Sequence, residues 1–215
     1  MSIQGLRSLF LASVCLALAP AGAAFAASTD KGLNEVVAGE WRSADDKGRD
    51  AARKPIENLQ FWGLKPGASI LEVQPGGGWW TRILAPYAAR TNGRYAATAA
   101  DLGNPSLSDA ARKSRADFAA RYADEKIYGK VDLVNWGATA APLAEGSYDF
   151  ILVSRAIHGW MRAEGLTDRN FAELARSLKP GGVLAIEWAE KFSALLPPHT
   201  RWLRFTHRDD GGRDG

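Results

Sequence analysis

Three consecutive glycines, Gly76-Gly77-Gly78, stand four residues beyond the carboxylate of Glu72. Glycine lets a backbone approach a ligand closely and turn sharply, and the amino end of a following helix favours polar or anionic groups. A strand-like run, Ser69 to Val73, leads into these glycines. In open α/β sheets, ligands bind outside the carboxyl ends of the strands. Three adjacent glycines also suit a plain tight turn, but at this place ligand binding is the expected use. Asp101 lies 23 residues beyond the loop. Acidic groups near that offset accept hydrogen bonds from ribose hydroxyls in nucleoside-binding folds, the alternative being a solvated loop carboxylate. Histidine is scarce in the chain, with His158, His199 and His207 only. Of these, His158 follows a strongly apolar run and lies three residues after Arg155, a pairing of a proton carrier active near neutral pH with a fixed cation.

Several other chemistries are excluded. A dinucleotide loop beginning at Gly76 and continuing at Gly78 needs a small residue at position 81, where Thr81 follows the bulky Trp79 and Trp80. No His, Asp and Glu set has metal-ligand spacing, so no metal is expected, and no Gly-x-Ser-x-Gly elbow is present. The single cysteine, Cys15, falls in the amino-terminal leader. Without it the chain has no disulfide, thiolate metal site or cysteine nucleophile.

The elements that must position these residues alternate along the chain. Residues 28 to 46 read as a polar lead-in, and Asp50 to Trp62 as a helix with Pro55 in its early turns. After the strand Ser69 to Val73, a helix runs from Trp79 to Arg90, interrupted by Pro86. A weak strand at Arg94 to Thr98, a helix at Ser108 to Tyr122, and strands at Val131 to Asn135 and Tyr148 to Ser154 follow. The helix Thr167 to Leu178, stopped by Lys179-Pro180-Gly181-Gly182, precedes the strand Val183 to Trp188. This alternation predicts an α/β fold, a Rossmann-like doubly wound parallel sheet of about five strands covered on both faces.

Composition agrees with a folded domain: of 215 residues, 46% are hydrophobic and 24% charged, which excludes disorder and disulfide scaffolds. Residues 1–26 read as an export signal, with Arg7, an apolar run from Leu9 to Ala19, and Ala24-Phe25-Ala26 as cleavage site. The short apolar stretch, broken by Pro20 and Gly22, argues against an anchor, so no membrane span is expected once it is removed, and the product is expected to be periplasmic or secreted. Residues 27–190 form the domain and carry 21 basic and 21 acidic side chains, so charge gives no reason to expect nucleic acid. Residues 191–215, with Pro197-Pro198 and clustered arginines, look unlike the domain before them. They suggest a shifted reading frame or a divergent, poorly ordered tail that leaves Val183 to Trp188 as an exposed apolar edge, with low stability and weakened or absent activity.

The run Leu71-Glu72-Val73-Gln74-Pro75-Gly76-Gly77-Gly78-Trp79-Trp80-Thr81 resembles the first motif of class I S-adenosylmethionine-dependent methyltransferases, with Gln74 in place of the first glycine. It looks most like a group of exported predicted methyltransferases with a Pro-Gly-Gly-Gly-Trp loop. The segment Ser154-Arg155-Ala156-Ile157-His158-Gly159-Trp160 is similar to the Arg-x-x-His-x-Trp stretch of that group, and Leu178-Lys179-Pro180-Gly181-Gly182 to the turn before the fifth strand. The resemblance spans about residues 45 to 190 and implies S-adenosyl-L-methionine as cofactor, with a methyl acceptor, a small molecule or of another class, as partner. It implies that Glu72 and the backbone of Gly76, Gly77 and Gly78 face the methionine end. Gly137 and Ala138 would enclose adenine, and Trp136 would stack on the base or belong to the core. Near the acceptor, His158 would act as base or be a structural histidine bonded to backbone. Arg155 would hold an anionic acceptor or pair with Asp149 or Glu187. Glu72 itself has an alternative as a helix cap or ion-pair partner. The rival function is a non-catalytic module that kept the fold to bind a small ligand or partner.

Overall fold

The computed structural model describes residues 30–187, Thr200 and the two short segments 206–207 and 213–214. Five apolar runs form the strands β1 (Ser69–Val73), β2 (Arg94–Ala100), β3 (Val131–Trp136), β4 (Tyr148–Val153) and β5 (Leu178–Ile186). All neighbours in this sheet are parallel, in the order β3-β2-β1-β4-β5. The expected α/β fold is therefore present, and the order reverses between β1 and β4, where such sheets open a crevice. Because successive side chains point to opposite faces, β1 feeds two cores. Ile70 joins Trp80, Ile83, Leu84, Tyr87, Tyr95 and Phe150 on one side. Leu71 and Val73 join Ile151, Val153, Ile157, Trp160 and Leu174 on the other.

The helices are α1 (Lys31–Ala38), α2 (Ala44–Gly48), α3 (Asp50–Arg53), α4 (Pro55–Phe61), α5 (Thr81–Arg90), α6 (Asp109–Arg121), α7 (Glu125–Tyr128), α8 (Ile157–Trp160) and α9 (Leu166–Ser177). Four of the sequence expectations need correction. Residues 28 to 46 are not merely a polar lead-in: α1 is capped by Asp30, whose carboxylate accepts from the Leu33 amide at 3.2 Å, and it buries Leu33 and Val36. The single helix expected over Asp50 to Trp62 breaks at Lys54, which takes φ 46°. The ring of Pro55 disfavours the right-handed helical region for the residue before it.

Pro86, in contrast, does not interrupt α5. A proline removes the N–H that would bond the carbonyl four residues back, here Arg82. The indole N–H of Trp41 donates to that carbonyl at 2.9 Å and fills the gap. Finally, Lys179-Pro180-Gly181-Gly182 does not separate α9 from β5 but lies within β5, where the pairing with β4 shifts register between Tyr148 and Phe150.

Thr206–His207 and Arg213–Asp214 pair antiparallel with each other, apart from the five-stranded sheet. The tail expected over residues 191–215 otherwise lies outside the described residues, as does the leader over residues 1–26. Among the described residues, no helix is long and apolar enough to cross a membrane.

Candidate functional site

The glycine loop leaves the carboxyl end of β1 through three left-handed residues, Gln74 (φ 51°), Gly76 (φ 57°) and Gly78 (φ 73°). Its underside is held closely. The Gln74 amide donates to Thr98 Oγ1 at 2.7 Å, and the Tyr122 hydroxyl donates to the Gly78 carbonyl at 3.2 Å. Its upper side is open: Gly76 and Gly77 are exposed, and a Cβ at Gly77 would meet nothing within 4 Å. A groove of ≈ 420 Å³ continues from these two glycines along Lys113, Ser114, Asp117 and Arg121 of α6. The backbone is thus fixed from below and available from above, the arrangement a close-approaching ligand needs.

Glu72 lies beneath this loop. Its carboxylate, 1% exposed, accepts from the Tyr95 hydroxyl at 2.6 Å and from Thr81 Oγ1, in the first turn of α5, at 2.8 Å. Both hydrogen bonds are taken by one carboxylate oxygen, Oε2, from inside the protein. The side chain ties β1, β2 and α5 together and so sets where the glycines leave the sheet. Burial disfavours its charge and pushes its pKa from 4.5 up to about 7, against the two hydrogen bonds, which pull it down. The folded state therefore keeps this proton at a pH where the unfolded chain has released it. The resulting stability is complete below about pH 4.5 and is lost as pH rises through about 7. We expect Glu72→Gln to remove a decline on the order of 3 kcal/mol over that window. Urea unfolding of both proteins near pH 5 and near pH 8 measures it. An unchanged pH slope in the variant counts against the assignment.

Around the loop stand the other strand ends. Asp101, immediately after β2 and 6% exposed, accepts from the Gly103 amide at 2.9 Å and from Thr139 Oγ1 at 2.7 Å. Arg115 of α6 straps the same rim, donating to the carbonyls of Ala100 and Leu133 and to Asn135 Oδ1. Gly137 and Ala138 follow β3, and a Cβ at Gly137 would meet nothing within 4 Å. Trp136 packs against the second core, which favours the core reading over a stacking role.

At the end of β4, Arg155 is exposed and takes φ 59°. It pairs with neither of the carboxylates considered for it. Asp149 is engaged by Lys179 Nζ at 2.7 Å, while Glu187 accepts from the Trp80 indole at 3.0 Å and from Ser154 Oγ. His158 is exposed on α8, whose Ile157 and Trp160 are buried. Among the described residues, no His, Cys, Asp and Glu group could hold a metal ion.

Residues 71–186 match the model of a family described as methyltransferase domain. The chain belongs to that family. Over 121 residues it is 32% identical to the hybrid PKS-NRPS synthetase tasS of Hapsidospora irregularis, a match covering 56% of this chain and 3% of that protein. A SAM-dependent methyltransferase from Aquifex aeolicus is 23% identical with a TM-score of 0.46, over 66% of this chain and 67% of the other. An S-adenosylmethionine-dependent methyltransferase from Mesorhizobium loti is 22% identical with a TM-score of 0.38, over 60% and 50% of the two chains.

Within this methyltransferase domain, the exposed glycines, Asp101, Gly137, Ala138, Arg155 and His158 all follow carboxyl ends of strands, while Glu72 is buried and Trp136 is half-buried against the second core. Thr98, Tyr122 and Thr139 carry no signal in the sequence, since each acts across a distance of at least 24 residues that no local pattern records. Gln74 reads in sequence only as a departure from the glycine motif. Its left-handed backbone, and the 3.2 Å hydrogen bond its Oε1 accepts from the Trp160 indole, emerge only from the fold.

Proposed function

We propose that the chain transfers a methyl group from S-adenosylmethionine to an acceptor seated over the carboxyl end of β4. The observation that carries this reading is the open backbone of Gly76 and Gly77 at the switch point of a methyltransferase-domain sheet, fixed from below by Thr98 and Tyr122. The residues fit the cofactor. An ionised carboxylate offers about four acceptor sites, and Asp101 has used two, leaving capacity for ribose hydroxyls. Gly137 and Ala138 leave room for a base beside β3.

S-adenosylmethionine, when bound, supplies an electrophilic methyl group on a sulfonium. The chain's own contribution is then positioning and exclusion of water, the main sources of catalysis in such a displacement. Arg155 offers a cation at the rim, and His158 takes the proton of an acceptor whose oxygen or nitrogen carries one. We further propose that the chain belongs with the exported group its motifs resemble, acting in the periplasm or outside the cell after removal of residues 1–26.

Calorimetry of the chain with S-adenosylmethionine, S-adenosylhomocysteine and NAD tests the reading. Binding of the first two and not of NAD is expected; binding of NAD alone, or of none of the three, overturns it.

A further inference from the structure

The left-handed region is costly for a residue with a side chain, and such strain persists where surrounding structure holds it. Two non-glycine residues at the switch point carry it, Gln74 and Arg155. They are neighbours across strands. Val73 pairs with Val153, so Gln74 and Ser154 leave β1 and β4 side by side, and Arg155 comes next.

Gln74 is exposed, yet its side-chain amide has a fixed sense. The Trp160 indole N–H is a donor only, so the atom facing it at 3.2 Å must be the Oε1 acceptor. Trp160 is itself 2% exposed and anchored in the second core, which makes it a rigid lock. The two N–H donors of Nε2 therefore point away from Trp160, and they have no partner among the described residues. Arg155 likewise makes no ion pair among the described residues. Directed amide donors, with a cationic residue leaving the neighbouring strand end, suit a carboxylate.

We propose that Gln74 is a specificity-determining residue that reads the amino-acid carboxylate of the cofactor through Nε2, with Trp160 setting the amide's orientation and Arg155 adding charge. This rests on the cofactor reading above. It also gives the glycine-to-glutamine departure a function: a side-chain donor pair stands where the family motif has none.

The test compares S-adenosylhomocysteine, which carries the carboxylate, with 5′-methylthioadenosine, which lacks the amino-acid end. Gln74→Glu keeps the acceptor for Trp160 and replaces the donors by a repelling oxygen. We expect it to weaken S-adenosylhomocysteine about tenfold or more, as for lost hydrogen bonds to a charged group, and to leave 5′-methylthioadenosine unchanged. Gln74→Met, which removes the donors without adding charge, is expected to show the same selectivity if Gln74→Glu does not fold. Equal loss of both ligands, or loss of neither, overturns the inference. A wild-type chain that binds neither ligand overturns the underlying cofactor reading instead.

Discussion

Gly76→Asp is expected to give a folded protein that no longer binds S-adenosylhomocysteine, while Gly78→Ala, two residues away, is expected to damage the fold itself. Both glycines have positive φ, so the difference lies in what a side chain meets. At Gly76 the nearest atom to a Cβ is the Gln74 carbonyl oxygen at 3.9 Å, and aspartate tolerates the left-handed region at a cost of about 1 kcal/mol. The new side chain enters the open space above the loop and sets a negative charge where the cofactor's amino-acid end would lie. At Gly78 a Cβ would stand 1.9 Å from the Tyr122 hydroxyl oxygen and 2.8 Å from the ring carbon bearing it. Tyr122 is 1% exposed and packed against Phe118 and Tyr128, so it has little room to retreat. Backbone strain, overpacking and the displaced hydrogen bond together amount to about 3 kcal/mol. For a chain of this size that lowers Tm by about 6–12 °C. Thermal melting followed by circular dichroism, with calorimetry on whatever remains folded, separates the two effects. Gly76→Asp binding like wild type would falsify the site.

His158→Ala is expected to slow methyl transfer to a protonated oxygen or nitrogen acceptor by about 10²-fold while leaving cofactor affinity nearly unchanged. The imidazole is exposed on α8, and the buried side chains of Ile157 and Trp160 anchor the helix. Removing the ring should therefore leave the backbone and the Trp160–Gln74 hydrogen bond in place. The measurement is kcat against pH for both proteins on a true acceptor, with added imidazole as a rescue. An unaltered rate, or a loss matched by loss of cofactor binding, returns His158 to a structural role.

The Glu72 proton has a bearing on both experiments. Its pKa of about 7 places the titration of a buried residue near the pH at which an assay of His158 would be run. A pH profile of kcat that persists in Glu72→Gln belongs to the site. One that disappears reports the packing of the loop on β1, β2 and α5. The same variant thus serves as a control for the histidine assignment.

The sequence alone carries the α/β class, the five strands and the place of the glycine loop. These features depend on local periodicity: apolar runs such as Phe150 to Val153 bury both faces, and glycines after a strand mark a turn into a helix. It also marked Asp101, Arg155 and His158, because residues after strand ends gather on one edge of any parallel sheet. What each residue touches depends on the fold. Glu72 matches a cofactor motif in the chain, but only the fold brings its carboxylate to Thr81 and Tyr95. Pro86 reads as a helix breaker until Trp41, 41 residues before Arg82, supplies the missing donor. Gln74 reads as a defect in a glycine motif until Trp160, 86 residues later, turns its amide to face outward. The physical reason is the same in each case. Periodicity follows from bonded geometry within one element, whereas hydrogen-bond partners and desolvation depend on atoms brought close by packing, and these lie far apart along the chain.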